Sequence, residues 1–428
     1  MQTAFRASIF HCLADPGPTA AASASEYVED GLLVVDDGVI TAIGPAEQLR
    51  PTLPDDVAVE DLRGKLILPG FIDCHVHYSQ LDIIAAYGEQ LLDWLHRYAY
   101  PEEARFADAA HARDVADAFL DGLLKNGTTT ALVFATVHPQ SVDVIFEAAA
   151  GRNMCLIAGK VLMDCNCPPE LRDDAESAYT DSKALIEKWH GKGRLGYAIT
   201  PRFALTSSEA QLEAAGRLAA EFPDTWVHTH LAENTEEVDE IARQFPDSQS
   251  YLDVYDRFGL VRKRSMFAHC LYLDDADRAL MATKGAAGAF CPTSNLFLGS
   301  GLFDFESMVS AGVNVGLATD VGGGTSLSML KTMSEAYKVL HLQGQSLPAS
   351  RAIFLATLGA AAALGLDDKI GNLEPGKEAD FIVVDAHASS ATSRRARTTS
   401  SIDELLFSLI FLGDDRNISA TYIQGCRA

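Results

Sequence analysis

The stretch Leu66-Ile67-Leu68-Pro69-Gly70-Phe71-Ile72-Asp73-Cys74-His75-Val76-His77 decides the fold. An apolar run leads through a Pro-Gly pair into two histidines with the spacing His-x-His. Residues two apart on a β-strand point to the same face, so His75 and His77 are expected to project together. Two neutral imidazoles that converge are a common beginning of a metal site. The pair alone is also compatible with two unrelated histidines, so further ligands have to come from elsewhere in the chain.

The length and composition limit the classes of protein to which the chain can belong. The chain has 428 residues, of which 48% are hydrophobic and 22% charged, so we expect one large domain and a smaller one. A net charge of −25 argues against a nucleic-acid groove and a nucleic-acid partner, but it allows a small base as substrate. The eight cysteines include no Cys-x-x-Cys pair, which predicts a reduced, cytoplasmic chain. No run of 18 apolar residues occurs, so no membrane span is expected.

Short strands are predicted near both ends of the chain. Residues 32–35 and 39–43 flank Asp36-Asp37-Gly38, a hairpin signal. Near the other end, residues 380–385 and 421–425 read as strands. We expect these strands to share one small sheet that brings the two ends together. Residues 387–401 are rich in Ser, Thr and Ala with three arginines, which predicts a solvated loop.

The middle of the chain alternates apolar strands with amphipathic helices, which predicts a parallel sheet with crossover helices. Within it, Thr206 to Glu209 fits a capping box with Thr206 as the cap of the following helix. Eight such units predict an α/β fold, a (β/α)8 TIM barrel, whose active site would lie at the carboxyl ends of the strands. The eight strands are expected to begin near Ile67, Thr128, Cys155, Leu195, Trp226, Ser265, Ala286 and Val313.

Metal-binding side chains end several of these predicted strands. The fifth ends in His228-Thr229-His230 with Glu233 just beyond it, the sixth in His269 and the eighth in Asp320. His228 and His230 share a face, and His230 is the better ligand because it lies nearer the carboxyl end. Any one of these residues has a structural explanation, but four in this register predict a metal site.

The Pro69–His77 stretch, with His230, His269 and Asp320, resembles the amidohydrolase superfamily. That resemblance implies a barrel of residues 66–372 and a small composite β-sandwich domain from residues 1–65 and 373–428. Seven segments more closely resemble the guanine deaminases of that superfamily: HYSQ (77–80), LDWL (92–95), KNGTTT (125–130), TPRF (200–203), HLAEN (230–234), TDVGG (319–323) and LGDDRN (412–417).

This resemblance implies hydrolytic deamination of guanine to xanthine and ammonia on one zinc ion per chain, in a homodimer. Its metal set would be His75, His77, His230 and Asp320, where zinc lowers the pKa of its water. Asp320 would also accept a proton from that water. Glu233 would carry protons to the purine and the departing ammonia. His269 would hydrogen-bond the water, with a role as a further ligand left open.

The resemblance also implies a set of substrate contacts. Gln80 can donate and accept hydrogen bonds, and Arg202 can donate to the guanine carbonyl. Phe203 and Trp94 would pack on the flat ring, and Glu233 would contact a ring nitrogen. Each has a structural alternative: Arg202 can pair with a local carboxylate, and the aromatic residues can belong to the core.

Three other functions stay open on the sequence alone. The first is a related aminohydrolase or chlorohydrolase that acts on another purine, a pyrimidine or a triazine. The second is a two-metal hydrolase bridged by a carboxylated lysine, for which Lys160 is the candidate. The third is a protein that kept the barrel and lost its chemistry, which the complete set of ligands disfavours.

Overall fold

The computed structural model describes residues 2–88 and 90–428. Two sheets carry the fold, one of seven strands and one of nine. No helix in the described part of the chain is both long and apolar enough to cross a membrane. In chain order the strands are Gln2–Cys12, Ser25–Asp36, Val39–Pro45, Ala58–Pro69, Phe71–His77, Thr128–Phe134, Cys155–Gly159, Val161–Leu162, Leu195–Pro201, Trp226–Leu231, Ser265–His269, Ala287–Phe290, Asn314–Leu317, Phe381–Val384, Ile418–Ile423 and Cys426–Arg427.

Helices follow most strands of the nine-stranded sheet along the chain. The α-helices are Ala46–Leu49, Leu91–Trp94, Tyr100–Ala104, Ala109–Lys125, Pro139–Gly151, Ala175–Trp189, Glu209–Glu221, Thr235–Gln244, Tyr251–Arg257, Asp275–Lys284, Pro292–Phe297, Phe305–Ser310, Met329–Leu342, Ala349–Leu355, Leu358–Leu364, Ser390–Ala396 and Ile402–Leu412. Short 3-10 turns and one π-helical turn, Leu95–Ala99, connect them.

The seven-stranded sheet joins the two ends of the chain, as predicted. The first strand, Gln2–Cys12, lies between Ser25–Asp36 and Ala58–Pro69, and Phe381–Val384 pairs with the far edge of Ala58–Pro69. The predicted hairpin is confirmed: Asp37 and Gly38 turn the chain with φ of 46° and 81°. Glycine adopts this left-handed region without strain, which explains its place in the turn.

The core of this sheet is aromatic. Phe5, Phe381 and Tyr422 are buried together, and the rings of Phe381 and Tyr422 stack with centroids 4.5 Å apart. Because these residues come from the beginning and the end of the chain, burial of their apolar surface stabilises the pairing of the two ends.

The nine-stranded sheet is the predicted barrel. Eight of its strands follow one another in chain order, and those from the third, Cys155–Gly159, to the eighth, Asn314–Leu317, run parallel to their neighbours. The short strand Val161–Leu162 lies off this order and pairs with Leu195–Pro201. The barrel closes where His77 N–H donates to the Val321 carbonyl (2.7 Å) and Asp320 N–H donates to that of His75 (2.9 Å). These hydrogen bonds place the first strand and the segment after the eighth side by side.

Two predictions about individual elements were wrong, the start of the first barrel strand and the cap of one helix. The first barrel strand begins at Phe71, because Ile67 belongs to Ala58–Pro69 of the other sheet. The helix Glu209–Glu221 is capped by Ser208, whose side chain accepts from Gln211 N–H. Thr206 instead ends a 3-10 turn and bonds the Phe203 carbonyl.

The segment 387–401 is not a simple loop. It contains the helix Ser390–Ala396, which Ser389 and Thr392 stabilise at its start by a reciprocal capping box. Such a box satisfies backbone donors that would otherwise lack partners at a helix start, so a Ser- and Thr-rich segment can form a short helix.

By its contacts the chain divides into two compact units. One consists of Met1–Asp73, Gly122–Thr130 and Ser328–Ala428, and the other of Cys74–Asp121 and Ala131–Leu327. The side chains of the site described below all belong to the second unit. The domain limits expected from the sequence, 1–65 with 373–428 and 66–372, stay a proposal.

Candidate active site

Four side chains converge at the carboxyl end of the barrel. His75 Nε2 and His77 Nε2 are 3.2 Å apart, and His230 Nε2 is 3.2 Å from His77 Nε2. Asp320 Oδ1 lies 3.1 Å from His75 Nε2 and 3.5 Å from His77 Nε2. Two ligands at about 2.1 Å from a tetrahedral zinc ion are about 3.4 Å from each other. The four groups are therefore spaced as ligands of a single ion.

The protonation of these rings tests whether a cation fits. His230 Nδ1 is 2.6 Å from the Arg202 carbonyl oxygen, so Nδ1 carries the proton and Nε2 presents a lone pair. His75 Nδ1 lies 2.7 Å from His228 Nε2, so His228 holds the orientation of the His75 ring. Burial lowers the pKa values of His75, His77 and His230 well below 6.5, so the rings are neutral. Buried lone pairs and a carboxylate that face one another fit a divalent metal ion.

His269 lies beside this cluster, with its ring centroid 5.5 Å from that of His230. Its Nδ1 is 2.9 Å from Asn295 Oδ1, and its Nε2 is buried with no hydrogen-bond partner among the described residues. Burial lowers the pKa of His269, but the Glu233 and Asp320 carboxylates together raise it above its ordinary value. Their nearest oxygens are 3.4 and 3.8 Å from Nε2. His269 also belongs to a possible metal-ligating group with His75, His230 and Asp320, so both of its predicted roles stay open.

Glu233 is a buried carboxylate at the rim of the same cluster. Its Oε1 accepts from Ser300 Oγ at 3.1 Å, and its backbone N–H donates to Glu237 Oε2 at 2.9 Å. Burial raises the pKa of Glu233 to about 7, against the opposing effect of His269. A carboxyl group with this pKa exchanges protons readily near neutral pH.

Three turns after the strands have unusual backbone geometry. Ala232, His269 and Asp320 have φ of 50°, 73° and 49°, in the left-handed region that non-glycine residues rarely adopt. Such conformations persist only where the surroundings enforce them, and they concentrate at functional sites. Here they occur at or beside the chemically active side chains.

A cavity with about 390 Å³ of space free of protein atoms, part of it open to solvent, lies against the cluster. Every substrate-contact residue predicted from the sequence lines this cavity, and so do the side chains of His77, His230, His269 and Asp320. The lining residues are His77, Gln80, Leu91, Trp94, Leu95, Arg202, Phe203, His230, Glu233, His269, Leu298, Asp320 and Gly323. A mostly apolar wall with a few convergent polar groups is typical of a small-molecule site.

Behind the polar side chains of the cavity wall lies a residue to which the sequence assigned no role. Glu103 accepts a hydrogen bond from Gln80 Nε2 at 2.8 Å and one from Arg202 Nη1 at 2.6 Å. The sequence also gave no role to Asn295. A single carboxylate or amide has no periodicity, so nothing in the local sequence distinguishes these residues from exposed ones.

Lys160 does not lie at the metal cluster. Its buried ammonium pairs with Asp173, whose second oxygen accepts from Gln211 Nε2. A lysine that bridges two metal ions must reach them with a carboxylated side chain. The ion pair with Asp173 therefore removes the observation that favoured a two-metal site.

The comparisons with known proteins agree with this geometry. Residues 66–427 match the amidohydrolase family. Guanine deaminase of Escherichia coli (strain K12) is 52% identical over 408 residues, which cover 95% of this chain and 93% of that protein. The solved structure of E. coli guanine deaminase superposes with a TM-score of 0.98 at 50% identity, over 100% of this chain and 99% of that one.

A more distant solved structure, guanine deaminase from C. acetobutylicum with bound guanine in the active site, has a TM-score of 0.90. It is 28% identical, and the match covers 100% of both chains. The extent of these matches leaves no large part of the chain outside the shared fold. The chain therefore belongs to the amidohydrolase family and, within it, to the guanine deaminases.

Proposed function

We propose that this chain deaminates guanine hydrolytically, giving xanthine and ammonia. One observation carries the proposal: the cavity joins the His/Asp cluster to Gln80, Arg202 and Phe203. A relative with the same fold has guanine in its active site, and the sequence identity to guanine deaminases extends over nearly the whole chain.

We propose zinc as the metal and His75, His77, His230 and Asp320 as its ligands. Nitrogen and carboxylate ligands at this spacing suit zinc, although iron and other divalent ions accept similar sets. The ion would supply a strong nucleophile at neutral pH by lowering the pKa of its bound water. The Arg202 carbonyl fixes the His230 tautomer that metal binding requires, and His228 holds the orientation of the His75 ring.

The proton transfers fall to the carboxylates and the histidine beside the cluster. Asp320 accepts the proton of the attacking water. Glu233, buried at the cavity wall, delivers a proton to a ring nitrogen and then to the departing ammonia. His269 hydrogen-bonds the water with its unpaired Nε2, which Asn295 orients through Nδ1.

The remaining side chains of the cavity bind and orient the base. Arg202 donates to the guanine carbonyl, and Gln80 hydrogen-bonds the ring edge. Phe203 and Trp94 provide flat apolar surface, and both side chains are largely buried. A site with fixed polar partners strongly rejects a base that lacks the matching groups, so these residues set the choice of substrate.

We further propose a cytoplasmic homodimer. All eight cysteines are free, with no disulfide among the described residues, which suits a reducing compartment. The dimer rests on the resemblance to the guanine deaminases.

A substrate panel tests the proposed activity. Ammonia release is measured from guanine, adenine, cytosine, 8-oxoguanine and a chloro-triazine, and metal content per chain is measured on the same preparation. We expect guanine to be the best substrate by a wide margin and about one metal ion per chain. A preference for another compound would assign the chain to the alternative aminohydrolase or chlorohydrolase class, and about two ions would return the two-metal site to consideration.

A further inference from the structure

Glu103 is a buried charge that lies beside the cavity without lining it. It belongs to the helix Tyr100–Ala104, and its side chain is 1% exposed. Burial of a carboxylate is costly unless hydrogen bonds and an opposite charge compensate. Glu103 has both, because one oxygen accepts from Arg202 and the other from Gln80.

The first contact restricts Arg202. Its guanidinium is almost fully buried, donates to Glu103 from Nη1 at 2.6 Å, and lies over the Tyr100 ring at 5.2 Å from the centroid. The planar fork of arginine gives each donor a defined direction once one nitrogen and one face are held. Arg202 also lines the cavity, so its remaining donors have a fixed place there.

The second contact restricts Gln80. An ionised carboxylate only accepts hydrogen bonds, so the group 2.8 Å from Glu103 is the amide nitrogen. The amide oxygen then accepts from Gly322 N–H at 3.2 Å. Glu103 and the Gly322 N–H together fix which end of the Gln80 amide is donor and which is acceptor at the cavity wall.

We propose that Glu103 is a positioning residue through which the site selects purines that, like guanine, carry a ring carbonyl in addition to the amine that leaves. By holding Arg202 and Gln80 from behind, it presents donors in the place where guanine has its carbonyl oxygen. Glu103 also balances the charge of Arg202, so the site takes a neutral base. This inference rests on the proposed guanine deamination.

The test compares guanine with 2-aminopurine, which keeps the amine that leaves but lacks the carbonyl. A loss of Arg202 alignment should lower kcat/KM for guanine and leave kcat/KM for 2-aminopurine nearly unchanged. For Glu103→Gln we expect the guanine to 2-aminopurine ratio to fall at least about 10-fold, because a hydrogen bond to a charged donor is involved. KM for guanine should rise more than kcat falls, and metal content should stay near that of the unchanged chain.

The matched control is Glu102→Gln. Glu102 is the neighbouring residue, is also largely buried, and pairs with Arg105 and His111 outside the cavity. This variant should keep the substrate ratio. If Glu103→Gln does not fold, Glu103→Asp gives the same test, since it keeps the charge but shortens the side chain, and we expect a smaller fall of the ratio.

Three results separate the possibilities. An equal loss of kcat/KM with both bases would mean that Glu103 only supports the fold, and unchanged kcat/KM with both bases would mean that Arg202 and Gln80 are held without it. Either result overturns the inference while guanine deamination stands. If the unchanged chain itself fails to deaminate guanine, the proposed function is wrong and the inference falls with it.

Discussion

His230 and Glu233 are three positions apart in the chain, yet the two side chains have different neighbours. His230 Nε2 points at His77 Nε2, whereas Glu233 bonds Ser300 at the cavity wall. We predict that Glu233→Gln keeps about one metal ion per chain and loses at least about 10²-fold in turnover, because Gln preserves the shape but cannot carry a proton. His230→Ala should lose the ion itself. Metal content and single-turnover rate are measured for both variants.

Metal content and single-turnover rate, measured together, distinguish a metal ligand from a proton carrier. A metal-free Glu233→Gln protein would make the carboxylate a ligand and refute the assignment. A metal-loaded and fully active one would leave the proton transfer to another group, of which His269 is the nearest, 3.4 Å from Glu233. Purine binding by the metal-loaded variant shows that the cavity is intact.

At the scale of an element, the helix Thr235–Gln244 positions Glu233. Asn234 caps it by accepting from Glu236 N–H at 2.9 Å, and Glu237 returns the contact by accepting from Asn234 N–H at 3.1 Å. Glu237 also holds the backbone N–H of Glu233, and Tyr251 donates to its other oxygen. The capping box therefore fixes both the start of the helix and the backbone position of Glu233, the proposed proton carrier.

This arrangement predicts that Asn234→Ala lowers the free energy of unfolding by about 1 kcal/mol and also slows turnover. Asn234→Asp is the control, because aspartate caps a helix about as well as asparagine. Denaturant midpoints and kcat are compared for both. If the alanine variant matches the aspartate variant in both quantities, the cap contributes nothing measurable to the site.

At the scale of the whole molecule, His11 links the first strand to the C-terminal part of the chain. Its ring is buried, its Nδ1 accepts from Leu373 N–H at 3.3 Å, and its Nε2 is 3.2 Å from Glu26. Burial lowers the pKa of His11 below 6.5, and the opposing effect of Glu26 does not reverse this. The buried ring is thus bound to its partners in the neutral form.

The sign of the pH effect follows from this lowered pKa. Below pH about 6.5 the unfolded chain takes up a proton at His11 before the folded chain does, so stability is complete above that pH and declines as the pH falls toward the folded pKa. We predict that His11→Gln, which can keep both hydrogen bonds, shows a smaller loss of unfolding free energy between about pH 7 and pH 5 than the unchanged chain.

The control for this prediction is His387→Gln. His387 is exposed in the same compact unit, so its replacement should leave the pH dependence as it was. Unfolding by denaturant at several pH values supplies the comparison. Parallel curves for the unchanged chain and His11→Gln would show that His11 does not contribute to acid sensitivity.

The sequence by itself determined the features that local periodicity encodes. The spacing of His75 and His77 predicted two rings on one face, because side chains alternate along a strand. Alternating strands and helices predicted the parallel barrel, and a barrel of parallel strands gathers its strand ends at one rim. His230, His269 and Asp320 could therefore be expected near His77 although they are far away in the chain.

Only the tertiary structure decided the contacts that complete the site. Glu103 meets Arg202 across 99 residues, and His228 meets His75 across 153, with no local pattern to pair them. The helix is capped by Ser208 and not by the predicted Thr206. Asp164, which is distant in the chain, holds Ser208 by accepting from its N–H and its hydroxyl. Hydrogen bonds between distant polar groups depend on which elements pack together, and burial then makes those bonds obligatory. Periodicity places a side chain on a face, whereas its partner is fixed only once the chain has folded.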